Sequence, residues 1–184
     1  MPTESLEYVN WFRRSSPYIN AHRGKTFVLM FGGEAIEDRN FPLIIQDIAL
    51  LSSLGVRLVL VHGARPQIEA RVSLRNLQSH YHTGIRSPDS EALEAVQDAS
   101  GSVRAQLEAQ LSMGLPNSPM HLARSRETTG YFVIARPLGV HDGVDFQHTG
   151  EVRRIQADDI RHQLDLRNLG LISPLGYSPT GEIF

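Results

Sequence analysis

The sequence contains no cysteine, no long hydrophobic run and no surplus of positive charge. The absence of cysteine excludes disulfides and thiolate chemistry and suits a reducing compartment, which we expect to be the cytoplasm. No stretch approaches the roughly 18 apolar residues of a membrane helix, and the N-terminus lacks the apolar segment of a signal peptide. The formal net charge of -2 does not favour nucleic acid. We therefore expect neither a membrane nor a nucleic acid as a partner.

The composition is that of a folded protein. The 184 residues, 41% of them hydrophobic and 21% charged, match one domain or a large piece of one. The sequence has no internal repeat, low-complexity tract or domain linker. It ends on an apolar pair shortly after a predicted strand, with no closing helix, so we expect the fold to be truncated.

Two short apolar runs, each predicted to be a buried strand, end at glycine turns. They are Thr26–Phe31, followed by Gly32 and Gly33, and residues 58–62, followed by Gly63 and Ala64. Between them, apolar residues recur at helical spacing up to Gly55, which predicts a helix that ends at this glycine. A strand–helix–strand unit of this kind predicts an α/β fold with a mostly parallel sheet sandwiched by helices.

Helical and strand-like patterns also occupy the rest of the sequence. An N-terminal helix is predicted over residues 5–18, broken or kinked at Pro17 and followed by a short turn over residues 18–23. The other predictions are helices over 66–77, 90–115 (with an interruption possible at Gly101) and 157–166, strands over 131–138 and 170–173, a polar loop over 81–87 and a hairpin over 141–155.

The glycine turns are candidates for binding a small anionic ligand. The carboxyl ends of parallel strands share one edge of the sheet, and glycine lets the backbone approach a ligand closely. Arg65 and Arg86 are the cations best placed to hold a carboxylate, because a guanidinium can bind it with two hydrogen bonds. Purely structural turns and solvated arginines remain open alternatives. His62 could carry a proton or serve as a hydrogen-bonded structural residue.

Several sequence signatures of other chemistries are missing. The eight histidines do not cluster at ligand spacing, so no metal site is predicted. The phosphate-binding loop that ends in Gly-Lys-Ser/Thr, the dinucleotide fingerprint and the nucleophile elbow are not found.

The segments TFVLMFGGEAIED and LVLVHGARPQI resemble the amino-acid kinase family and, within it, the kinase-like domains of bacterial N-acetylglutamate synthases. The resemblance covers the whole chain and includes the GIRSPD segment and ARPLGVHDGVDFQHTGEVRRI. Phosphorylating members of the family have a lysine at the position of Met30 and a third glycine at the position of Ala64. Methionine cannot neutralise a transferred phosphoryl group, which is stabilised mainly by charge. We therefore expect kinase activity to be lost.

The resemblance implies a carbamate kinase-like fold with a regulatory role. Residues 1–23 would form an N-terminal helix that contributes to an L-arginine site, through Arg14 and Tyr18, and to the assembly of dimers into hexamers. Residues 24–184 would be the N-terminal part of the kinase-like domain. A vestigial acylamino-acid pocket would be formed by Gly32, Gly33, Gly63, Ala64, Arg65 and Arg86.

By the same resemblance, the complete protein would be an amino-acid N-acetyltransferase that transfers the acetyl group of acetyl-CoA to glutamate, the first step of arginine biosynthesis. That reaction would belong to a separate C-terminal domain, so we expect no catalytic residue and no bound cofactor in this chain. Two alternatives remain. One is an active acylamino-acid kinase, such as acetylglutamate kinase, that uses another cation in place of the lysine. The other is a non-catalytic oligomerisation module.

Overall fold

Four parallel strands form the central sheet of the computed structural model, which describes residues 2–112 and 126–184. In spatial order they are β1 (Thr26–Phe31), β2 (Arg57–His62), β10 (Asn168–Ile172) and β5 (Arg126–Thr128). Phe31 is in register with His62, and Ile172 with Val61, so the carboxyl ends of these strands share one edge. The prediction of an α/β fold with a parallel sheet is therefore confirmed.

The helices of the described residues are α1 (Pro2–His22), α2 (Gly33–Glu37), α3 (Phe41–Ser53), α4 (Arg65–Leu74), α5 (Ser90–Ser112) and α6 (Ala157–Asp165). Helices α2 to α6 pack against the sheet or against one another, whereas no described residue of helix α1 belongs to the main hydrophobic cluster. Alternate residues of the central strands, such as Leu58, Leu60 and Leu171, pack against buried side chains of α3, α4 and α5. This face of the sheet holds the main hydrophobic cluster, while α6 contacts β10.

The described residues also form three two-stranded antiparallel pairs. They are β3 (Tyr81–His82) with β4 (Ile85–Arg86), β6 (Val133–Pro137) with β9 (Gly150–Ile155), and β7 (Val140–His141) with β8 (Val144–Asp145). The hairpin predicted over residues 141–155 is confirmed only in the turn between β7 and β8. Its second arm is wrong, because residues 150–155 pair with β6 instead. The polar loop predicted over 81–87 is wrong, because Thr83 and Gly84 both have positive φ, at 50° and 82°, as in a type I′ hairpin turn.

The prediction that both leading strands are buried is correct only for β2. β1 is an edge strand, paired on one side with β2, and its outward residues Val28 and Met30 are exposed, Met30 by 84%. Its inward residues pack on the core. The continuous apolar run of β1 therefore contains both the side chains of a packed face and those of an exposed face.

Helix α1 continues through Pro17 to His22, so the predicted break and the turn over 18–23 are wrong. Proline removes one backbone N–H, whose helical acceptor would be the carbonyl of Arg13. Both residues lie on exposed parts of the helix, where water can satisfy that carbonyl. No helix of the described residues combines the length and hydropathy needed to cross a membrane.

The helices α3 and α5 test two predictions about glycine. Gly55, with φ of 86°, ends α3: its N–H donates to the Ser52 carbonyl at 3.0 Å and that of Val56 to the Leu51 carbonyl at 3.1 Å. This is a Schellman motif, and the predicted helix end is confirmed. Helix α5 is uninterrupted at Gly101. The last residues of its predicted span, 113–115, lie outside the described residues.

Candidate functional site

The two glycine turns lie side by side at the carboxyl edge of the sheet. The Gly63 N–H donates to the Phe31 carbonyl at 2.9 Å, and a Cβ on Gly63 would lie 3.4 Å from the Gly32 Cα. A Cβ on Gly33 would lie 3.1 Å from the Ala64 Cα and 2.8 Å from the Pro66 Cδ. The two turns therefore pack closely enough to require glycine at position 33.

A cavity of about 380 Å³ opens above these turns. All six residues that the sequence assigned to a pocket line it: Gly32, Gly33, Gly63, Ala64, Arg65 and Arg86. The β3–β4 hairpin contributes a wall through Tyr81, Gly84 and Arg86, and the other lining residues are Glu34, Ile68 and Pro174. Sequence reasoning missed Glu34, although it directly follows the glycine pair, and Tyr81, whose position depends on the unpredicted hairpin.

Arg86 is held by neighbouring side chains on the cavity wall. Its Nη1 donates to Ser79 Oγ at 2.8 Å, and its Nη2 forms an ion pair with Glu69 of α4. Glu69 also accepts hydrogen bonds from the Tyr81 hydroxyl and, at 2.9 Å, from Ser79. The carboxylate that Arg86 binds in this structure is thus an internal one, and the network ties the hairpin to α4.

The pKa values of Glu69 and Tyr81 follow from this network. Burial alone would raise the pKa of the Glu69 carboxyl, but hydrogen bonds from Tyr81 and Ser79 and the charge of Arg86 together bring it below its usual value. Burial, and then the hydrogen bond to Glu69, raise the pKa of the Tyr81 hydroxyl. Glu69 is therefore an anion and Tyr81 a neutral donor at neutral pH.

Arg65 is the other cation of the cavity and begins helix α4. It is exposed, and its guanidinium carbon lies 5.8 Å from the centre of the Tyr81 ring. The guanidinium carbon of Arg86 lies 5.1 Å from the same centre. Tyr81 thus interacts with both cations through its ring, which limits the positions their guanidinium groups can adopt.

His62 ends β2 just below the second glycine turn. It is 2% exposed, and its Nδ1 lies 3.1 Å from the Gly63 carbonyl. Burial lowers the pKa of the imidazole, the hydrogen bond to Gly63 opposes this, and the charge of Arg104 lowers it further. The ring is therefore neutral, with Nδ1–H donating to Gly63, and this supports a structural role.

Met30 and the effector candidates lie outside the cavity. Met30 does not line it and projects from the open face of β1. Arg14 and Tyr18 are exposed, four residues apart on one side of α1, and Tyr18 is 70% exposed. The helix joins the sheet at the amino end of β1, whereas the cavity lies at its carboxyl end. Within residues 2–112 and 126–184, no three His, Asp or Glu side chains gather to hold a metal ion.

The sequence profile of the Amino acid kinase family matches residues 25–184. The chain belongs to the amino acid kinase family. This confirms the resemblance found in the sequence. An amino-acid acetyltransferase from Ectopseudomonas mendocina is 59% identical over 178 residues, which is 97% of this chain and 41% of the relative. One from Azotobacter vinelandii is 60% identical over 178 residues, which is again 97% of this chain and 41% of the relative. The chain thus spans about two fifths of the length of these relatives.

This member of the amino acid kinase family also matches a solved structure. It is similar to N-acetylglutamate synthase from Neisseria gonorrhoeae, solved in complex with coenzyme A and L-arginine. The TM-score is 0.82 at 36% identity, and the match covers 96% of this chain and 42% of that one. Fold and sequence thus agree on the same group of proteins.

Proposed function

We propose that this chain is an arginine-sensing module of an amino-acid N-acetyltransferase that makes N-acetyl-L-glutamate from acetyl-CoA and L-glutamate. The observation that carries the proposal is the similarity to amino-acid acetyltransferases along nearly the whole chain. Acetyl transfer itself is assigned to a separate domain and to none of these 184 residues. The proposal includes a cytoplasmic location, which the cysteine-free composition suits.

The charges around the glycine turns argue against phosphoryl transfer by this chain. Such a reaction depends on cations that hold the transferred group. Lys25, the only lysine of the sequence, precedes β1 and so lies at the end of that strand opposite the cavity. Met30 is uncharged and Arg86 is paired with Glu69, so Arg65 is the one cavity-lining cation that has no ion-pair partner among the described residues. A binding role therefore fits the cavity better than a kinase role.

We place the arginine effector at Arg14 and Tyr18 of α1. The family resemblance motivates this assignment, and the exposure of both side chains on one side of the helix supports it. The Tyr18 ring can cover the aliphatic stem of an arginine ligand, and its hydroxyl can form a hydrogen bond. We further propose that the cavity at the glycine turns corresponds to the acylamino-acid pocket of the phosphorylating members.

A chimeric enzyme tests the effector site. We expect the E. mendocina acetyltransferase, with its matched segment replaced by this chain, to acetylate L-glutamate and to be inhibited by L-arginine. Tyr18→Ala should weaken that inhibition roughly tenfold, because a lost contact of about 1.4 kcal/mol corresponds to this factor. The rate without arginine should stay the same. Inhibition curves with Asn20→Ala, also exposed on α1, serve as the control.

Two results of this experiment would be decisive against the proposal. A folded chimera without acetyltransferase activity would contradict the assignment to this enzyme class. An unchanged inhibition constant in the Tyr18→Ala chimera would remove Tyr18 from the effector site.

We also propose that α1 mediates self-association. Large apolar side chains of this helix are exposed, among them Tyr8, Trp11 and Phe12. Burying one such side chain contributes about 1.5–3 kcal/mol, so a paired helix face could hold several subunits together. Tyr8 and Phe12 are one helical turn apart and therefore share a face.

Sedimentation of the chain tests this association. We expect an oligomer for the wild type and a smaller species for the double variant Tyr8→Glu, Phe12→Glu, since charge on that face opposes its burial. Arg13→Glu places the same carboxylate on another side of the helix and should leave the oligomer unchanged. A wild-type chain that sediments as a monomer at every concentration would contradict the proposal.

A further inference from the structure

A second cavity, of about 420 Å³, lies at the amino edge of the sheet, at the opposite ends of the strands from the glycine turns. Its charged lining residues are Arg23, Arg57, Arg167 and Asp165. Three neighbouring strands each begin at or shortly after one of these arginines: β1 follows Arg23, β2 begins at Arg57 and β10 follows Arg167. The topology of the sheet therefore brings three cations to one cavity.

Backbone hydrogen bonds hold the first two arginines on adjacent segments. The Gly24 N–H donates to the Gly55 carbonyl at 2.8 Å, and the Arg57 N–H donates to the Lys25 carbonyl at 2.9 Å. A Cβ on Gly55 would lie 3.2 Å from the Arg23 Cγ, so the Arg23 side chain crosses the end of α3. The stem of Arg23 is thus fixed against the loop that leads into Arg57.

Arg167 lines the cavity from the third strand. The parallel pairing of β10 with β2 matches Gly170 with Val59. In the same register Asn168, which directly follows Arg167, lies beside Arg57 at about one strand spacing, roughly 4.8 Å. Arg167 has a φ of 62°, in the left-handed region where glycine and asparagine are the usual residues after a helix. An arginine is costly in this conformation, which points to a role for its charge.

The cavity keeps a positive charge after its internal ion pair is counted. Arg57 Nη1 lies 2.9 Å from Asp165 Oδ1, and these two charges compensate each other. Neither Arg23 nor Arg167 forms an ion pair with another of the described residues. The carboxyl ends of α3 and α6 contribute roughly half a negative charge each, which offsets about one of the two remaining positive charges. The balance therefore favours an anionic ligand.

We propose that this cavity binds a small phosphate-bearing anion, with Arg23 and Arg167 donating to its oxygens. A guanidinium presents a planar fork of donors that matches two oxygens of a phosphate group. Two such forks in one cavity favour a ligand with more than one anionic group, such as a diphosphate. The volume is within the usual range for small-molecule sites, roughly 300–1,000 Å³. The site is independent of the arginine site on α1 and of the cavity at the glycine turns.

Titration of the 184-residue chain with inorganic pyrophosphate, followed by amide NMR at one ionic strength, tests the site. We expect saturable shifts at Gly24 and Gly55, and at least roughly tenfold weaker binding of acetate, which carries a single charge. Arg167→Asn should weaken pyrophosphate binding about tenfold, the scale of one charge-assisted hydrogen bond. The same variant should be no easier to unfold in urea, because asparagine suits the positive φ. Arg23→Gln keeps the stem on Gly55 and should also weaken binding about tenfold.

Matched charge changes elsewhere separate this site from a general attraction of anions to the protein. Arg154→Gln, exposed on β9 and outside the cavity, should leave the affinity for pyrophosphate unchanged. Asp165→Asn releases Arg57 from its ion pair and should strengthen binding several-fold. Asp158→Asn makes the same change of charge outside the cavity and should have no such effect.

Four results would overturn the inference. One is the absence of a saturable shift at Gly24 and Gly55 with pyrophosphate. Another is an Arg154→Gln variant that loses as much affinity as Arg167→Asn. The third is an equal affinity of the Asp165→Asn and Asp158→Asn variants. The last is a set of shifts confined to the glycine turns, which would place pyrophosphate at the other edge of the sheet.

Discussion

Phe41→Ala is expected to lower the free energy of unfolding by about 3–5 kcal/mol, the usual cost of truncating a buried phenylalanine. Phe41 is 1% exposed, and its ring packs edge-to-face on that of Phe31, with centroids 5.5 Å apart. Phe31 ends β1 and Phe41 begins α3, so this contact closes the segment that carries α2 and the first glycine turn. Urea unfolding followed by circular dichroism measures the change.

A control on the same helix isolates the effect of burial. Leu43 is 56% exposed, and Leu43→Ala should lower the free energy of unfolding by less than about 1 kcal/mol. Similar losses in the two variants would show that the Phe31–Phe41 contact does not hold this part of the core. A loss of unfolding free energy in Phe41→Ala alone would show that the fold depends on the packing of the segment between Phe31 and Phe41, which carries the first glycine turn.

Local signals in the sequence were sufficient for the main elements of the sheet. β1, α3 and β2 follow from hydrophobic runs, helical spacing and the glycine that ends α3, because these depend on neighbouring residues. The open face of β1 could not be predicted in the same way. β1 and β2 are both continuous apolar runs. What differs is that β2 lies between β1 and β10, and β10 is distant in the sequence.

The sequence predicts the glycine turns that form the floor of the cavity, but it does not predict the hairpin that forms its wall. Two glycine turns after parallel strands must share an edge, so the meeting of Gly33 and Gly63 follows from the fold. The wall depends on the β3–β4 hairpin, whose strands have two residues each and are too short for a periodic signal. The pairing of Arg86 with Glu69 joins this hairpin to α4 and has no local signature.

Gly33→Ala is expected to lower the free energy of unfolding by about 2–3 kcal/mol, the cost of forcing atoms into a packed interior. The new methyl group would lie 2.8 Å from Pro66 Cδ and 3.1 Å from Ala64 Cα, and it would overlap the side chain of Gln67. Proline and backbone atoms cannot move aside without displacing the start of α4. The Gln67 side chain would also lose its 2.9 Å hydrogen bond to the Gly33 carbonyl.

Gly101→Ala provides the matched control, since it makes the same substitution inside α5 with open space around the new methyl group. It should raise the free energy of unfolding by up to about 1 kcal/mol, because alanine favours the helix. Changes of opposite sign in the free energy of unfolding, measured in urea, would show that the close approach of the two turns determines the cost, and not the loss of glycine itself. If Gly33→Ala were as stable as the wild type, the turns would be free to separate, and the close packing of the two glycine turns below the cavity would not be required by the fold.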